Sequence, residues 1–181
     1  MKNKHYRKLT IAILGYVVVP LLYYLPFATN SLIENNYTAI INNPMIHTRC
    51  LYLIPTLLFE FYMLEHIGRF TLTPKKWHNH CVILAILAII VVLIPYHEQE
   101  DFLSGLHVFV GYLALILLNW MLLIVGWKEQ VIRNFYLVGF ALTFFVIMYY
   151  MSITGLAQVI YTWTLSFTLT TLYLKLNADT W

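Results

Sequence analysis

Apolar positions in this chain gather into six long runs, 9–28, 48–67, 81–96, 103–127, 135–153 and 156–176, with short polar stretches between them. A hydrocarbon layer about 30 Å thick is crossed by about 20 apolar residues in a helix. Each run reaches that length within ordinary boundary error, the third being the shortest. Five of them are apolar on all sides, without the period-2 alternation of barrel strands, and so predict helices. The sixth differs, because Thr162, Thr164, Ser166, Thr168 and Thr170 alternate with apolar neighbours. A helix accommodates them, since each hydroxyl can bond the carbonyl one turn earlier, and it then carries polar groups all round. The pattern therefore predicts an all-α membrane helix bundle, a single domain over 1–181. It has six transmembrane helices, the sixth packed against protein on several sides.

Composition agrees. Hydrophobic residues make up 61% of the chain and charged residues only 10%, against the roughly 25% that a soluble domain carries. The net charge of +3 does not mark a nucleic-acid binder. The basic residues sit in short clusters between apolar runs and form no stripe with aromatics. With the N-terminus inside, the inner segments hold Lys2, Lys4, Arg7, Lys8, Arg69, Lys75, Lys76, Lys128, Arg133 and Lys175, and the outer ones only Arg49. That bias predicts both termini in the cytoplasm. It also places Trp77 and Trp127 at the inner interface. The first run has no small-residue cleavage site after its basic start, so it reads as a retained helix rather than a signal peptide. Cys50 and Cys81 fall on opposite sides, too far apart for a disulfide. Pro20 and Pro55 interrupt the first two helices and free a carbonyl one turn earlier in each. Gly155 is the residue expected to take the left-handed conformation that ends the fifth helix.

Glu60 is the costly residue. At 1.5 Å per residue from Thr48 it lies roughly 18 Å below the outer surface. A charge at that depth costs about 2.5–3.5 kcal/mol on insertion scales. Asn119, Thr143 and Thr168 fall at similar depths on three other helices, so Glu60 is expected either to hydrogen-bond Asn119 as packing glue or to face a functional cavity. The outer side gathers His47, His97 and His107 with Glu98, Glu100, Asp101 and Glu34. Imidazole nitrogens with carboxylates suit zinc, and an open water position would suit hydrolysis. The spacing matches no metal signature, and a solvated, pH-responsive cap is the competing reading. On the inner side stand Glu65, His66, His78 and His80. A bis-histidine haem between His66 and His80 is disfavoured, because Leu64, Ile67, Asn79 and Val82 leave a macrocycle no room.

From Pro95 to Leu118 a helix ends in proline, a short polar loop follows, and Ser104-Gly105-Leu106-His107 opens a long apolar helix. This stretch resembles the Frag/DRAM/Sfk family of six-helix membrane proteins and its bacterial relatives. The Thr154-Gly155-Leu156-Ala157-Gln158 hairpin and the basic C-terminal end fit as well. Where that family carries a Ser-Asp-x-Gly-like stretch, this chain reads Ile41-Asn42-Asn43-Pro44. The resemblance thus implies a fold and a role with membrane lipid, and transfers no site residue. The leading expectation is a non-catalytic, lipid-associated membrane protein. The alternatives are a metal-dependent membrane enzyme built on the outer histidine and carboxylate cluster, and an accessory subunit with a protein partner in the membrane.

Overall fold

Each apolar run becomes a helix. The computed structural model describes residues 2–28, 30–36, 40, 52–70, 73–94, 102–126 and 129–177. Helix α1 winds through Lys2–Ile13, loosens to a π stretch at Leu14–Val18, resumes over Val19–Tyr24 and tightens to a 3₁₀ turn at Leu25–Phe27. It is followed by α2 (Ile54–Gly68), α3 (Pro74–Leu93), α4 (Phe102–Gly126), α5 (Gln130–Tyr150) and α6 (Gly155–Leu176). No strand occurs among the described residues. Four segments, His5–Phe27, Pro74–Leu93, Phe102–Val125 and Gln130–Tyr150, are long and apolar enough to cross a membrane. That is the length and composition of a multi-pass membrane protein. Described α2 has 15 residues. The 22 residues of α6 are long enough, but its hydroxyls lower its hydropathy.

The helix that carries the row of hydroxyls is the central one. α6 packs against α1, α2 and α5, while α3 lies between α2 and α4. Thr162, Thr164, Ser166, Thr168 and Thr170 are all buried there, so the strand-like alternation was the mark of a helix surrounded by protein. Small residues on the neighbours permit the approach: a Cβ on Gly15 would run into Thr170, and one on Gly139 into Thr164. The hydroxyls do not all turn back on their own helix as expected. Thr164 Oγ1 donates to the Ile160 carbonyl at 2.7 Å, whereas Ser166 Oγ crosses to the Gly15 carbonyl at 2.7 Å.

The packed core lies toward one end of the bundle. Met63, Leu64 and Ile67 of α2 meet Trp77 and Cys81 of α3, Met121 of α4, Tyr136 of α5 and Tyr173 of α6. The same end carries the basic residues. There Arg7 donates to the hydroxyls of Tyr62 and Tyr173, each at 3.2 Å, and Lys175 pairs with Glu129. At the far end a smaller cluster centres on Phe27 and Val159. The backbone N–H groups of Gly155 and Leu156, orphans at the start of α6, donate to the carbonyls of Asn35 and Leu32 at 2.7 and 2.8 Å. The loop after α1 therefore caps the last helix.

Several boundaries and local devices differ from the sequence reading. α3 begins at Pro74, not at residue 81, because proline is preorganised for the first helical position. Hydrophobicity marks where a helix turns apolar, not where it starts. Trp77 consequently points inward and is buried. Its indole N–H donates to the Leu64 carbonyl at 2.9 Å across a notch left by Gly68, which is no interfacial position. Trp127 lies outside the described residues. α3 stops at Leu93 with Ile94 extended at ψ 122°, as the clash with the following Pro95 requires. The left-handed residue that ends α5 is Met151, at φ 53°. Ser152 N–H reaches the Ile147 carbonyl at 3.2 Å, which is the Schellman arrangement. Gly155 instead opens α6, where a Cβ would strike the ring of Phe27.

Candidate functional site

Beside the packed core the helices enclose a cavity of about 880 Å³, within the range of small-molecule sites. It runs along α4 from His107 to Leu123 and along α6 from Ala157 to Leu169. At 1.5 Å per residue the first of these spans is about 24 Å and the second about 18 Å, so the space is long rather than round. On α2 and the residue before it, its wall is Leu53, Thr56, Leu57, Glu60, Phe61 and Leu64, a single stripe at three- and four-residue spacing. Among the lining residues, Tyr112, Ile116 and Trp120 of α4 and Phe144 of α5 are also exposed. The cavity therefore reaches the lateral surface where α4, held mainly by α3, makes little contact with α5.

Of the four residues singled out at mid-depth, Glu60, Asn119 and Thr143 line this cavity and Thr168 does not. Thr168 is buried within α6, and its Oγ1 has no hydrogen-bond partner among the described residues. Thr143 Oγ1 donates to the Gly139 carbonyl at 2.9 Å. Asn119 is engaged differently from the expected pairing with Glu60. Its Oδ1 accepts from the Tyr136 hydroxyl, and its Nδ2 donates to the Tyr161 hydroxyl at 3.1 Å and to the Leu115 carbonyl at 2.6 Å. Glu60 Oε1 is buried with no partner among the described residues. In the cavity wall Asn119 and Tyr161 are thus spent in a chain that continues to Tyr136 behind it, while one carboxyl oxygen of Glu60 is unspent.

The tyrosines escaped the sequence reading because aromatic side chains in membrane helices are read as filling. Their signal was positional. Ala157, Tyr161, Leu165 and Leu169 recur every fourth residue on α6 and all line the cavity, which places the Tyr161 hydroxyl on the same face as the buried stripe.

Of the outer cluster, His47, His97, Glu98, Glu100 and Asp101 lie outside the described residues. Glu34 is exposed on the loop after α1. His107 is described: its Nδ1 meets the Ile94 carbonyl at 3.0 Å, which occupies a carbonyl at the end of α3. On the basic end, His78 Nδ1 and Glu65 Oε1 pair at 2.9 Å. His66 Nδ1 contacts the Tyr62 carbonyl at 3.0 Å, and its ring lies over Tyr62. Among the described residues no three of His, Cys, Asp and Glu converge as a metal site would require. No protein-family model matches the chain, and no curated protein or solved structure is significantly similar to it.

Proposed function

We propose that this is a six-pass membrane protein, its basic end in the cytoplasm, that holds the apolar chain of a membrane-derived lipid between α4 and the central helices. The carrying observation is the elongated, largely apolar cavity reaching the surface between α4 and α5. A surface of this kind in a bilayer meets acyl chains, and van der Waals packing along a matching groove favours retention. The clustering of Arg7, Arg69, Lys75, Lys76, Arg133 and Lys175 at one end supports the orientation. No reacting group is needed for such a role, and the reading is non-catalytic.

Gly111 provides the test. It lines the cavity, and a Cβ added there meets nothing within 4 Å, so Gly111→Trp can fill space without displacing backbone. Protein purified in mild detergent should retain lipid detectable by native mass spectrometry. The Gly111→Trp variant should retain less while melting no lower. Equal lipid on both forms would overturn the proposal.

A further inference from the structure

We infer that the ligand carries a hydrogen-bond donor, a hydroxyl or an amine, on its apolar chain, and that Glu60 receives it inside the cavity. This deepens the lipid-binding reading and rests on it. Four other polar groups along the wall are already engaged: Asn119 with Tyr136 and Tyr161, Thr143 with the Gly139 carbonyl, Thr56 with the Tyr52 carbonyl at 2.8 Å, and His107 with the Ile94 carbonyl. Glu60 Oε1 is the buried lining atom without a partner among the described residues. An unmet acceptor in an apolar site is costly, and a donor from the occupant removes that cost. Among the described residues no lysine or arginine lines the cavity. A phosphate or carboxylate head drawn to this depth would find no counter-charge and would face a carboxyl oxygen.

The position of Glu60 adds to this. It sits near the middle of α2, well inside the stretch of wall from Leu53 to Leu64. A phospholipid with its head at the membrane surface would lay only methylenes against Glu60 and leave its oxygen unmet. A single-headed amphiphile that enters head first satisfies it and leaves its chain on the apolar wall. Ionised, Glu60 accepts from either head group. Protonated, it can also donate to the hydroxyl oxygen.

The experiment uses the full chain in detergent and three probes of one chain length: dodecan-1-ol, dodecylamine and dodecanoate. Bound probe is counted by native mass spectrometry. The alcohol and the amine should bind at least about tenfold more tightly than the carboxylate, the scale of one hydrogen bond to a charged or desolvated group. Glu60→Leu should erase that preference while chain binding persists. Glu60→Gln, which keeps an acceptor but no charge, should keep the alcohol and lose the amine's share. Equal binding of all three probes to the unaltered chain would overturn this inference and leave a groove for acyl tails intact. Failure of all three to bind would overturn the lipid-binding reading as well. The comparison among probes stands on the unaltered chain, so poor folding of either variant does not remove the test.

Discussion

The hydroxyl of Ser166 donates to the carbonyl of Gly15 at 2.7 Å, joining the last helix to the first. The π stretch at Leu14–Val18 explains why that carbonyl is free. Val19 N–H bonds Leu14 O, a five-residue step. One residue on, the same step would pair the nitrogen of residue 20 with Gly15 O, but residue 20 is proline and has no N–H. Ser166 supplies the missing donor.

Removing it should therefore matter in proportion to proline's presence. Ser166→Ala leaves a buried carbonyl unmet and should cost about 1–3 kcal/mol of stability. In a Pro20→Ala background the backbone regains its own donor, and the same change should cost about 1 kcal/mol less. A double-mutant cycle by thermal or denaturant unfolding in detergent measures the coupling. Additive effects would mean that Ser166 and Pro20 do not share this carbonyl.

Met151 holds the left-handed turn between α5 and α6 at φ 53° and is exposed. A side chain there clashes with the following carbonyl, at a cost of roughly 1–2 kcal/mol, which glycine avoids. Met151→Gly should raise stability by about 1 kcal/mol without altering ligand retention, read from the melting curve of purified protein. An unchanged or lowered midpoint would contradict the geometry.

Glu60 should behave as a residue kept at the fold's expense. Its Oε1 has no partner to lose, and Asn119 keeps its bonds to both tyrosines without it. Glu60→Leu in the absence of ligand should therefore hold or raise stability, by up to about 1–3 kcal/mol. A marked loss would indicate an ionised carboxylate paired beyond the described residues.

Orientation yields to labelling. In a chain with Cys50 and Cys81 replaced by alanine, cysteine at Glu34 should react with an impermeant thiol reagent added outside intact cells. Cysteine at Lys75 should not. The reverse pattern would invert the bundle in the bilayer.

The architecture was largely readable from the chain because membrane helices declare themselves by length and apolarity. The six runs became six helices, and the ring of hydroxyls on 162–170 foretold a helix enclosed by protein. Helix starts were less legible. Pro74 and the polar residues after it are helical without being apolar, so Trp77 was assigned to an interface when it lies in the core. The site was half legible. Glu60 stood out by its desolvation cost, but its partner could not be deduced from depth alone, since level along the bundle says nothing of azimuth. Asn119 shares a cavity with Glu60 and spends its amide on two tyrosines. The turn at Met151 was missed because the glycine nearby looked like the natural stop, while that glycine was needed for clearance against Phe27.

The central position of α6 bears on how the protein is made. It follows the other five in the chain, so α1, α2 and α5, which pack against it, leave the ribosome before it exists. Until it arrives, the notches at Gly15 and Gly139 lack Thr170 and Thr164, and the Gly15 carbonyl has no donor from Ser166. α6 also carries five hydroxyl residues between 162 and 170 that are buried only once it has docked. The seam it closes is thus the last to form. A nascent chain paused before Thr154 is an unfinished ring, exposed to whatever insertase or protease attends it.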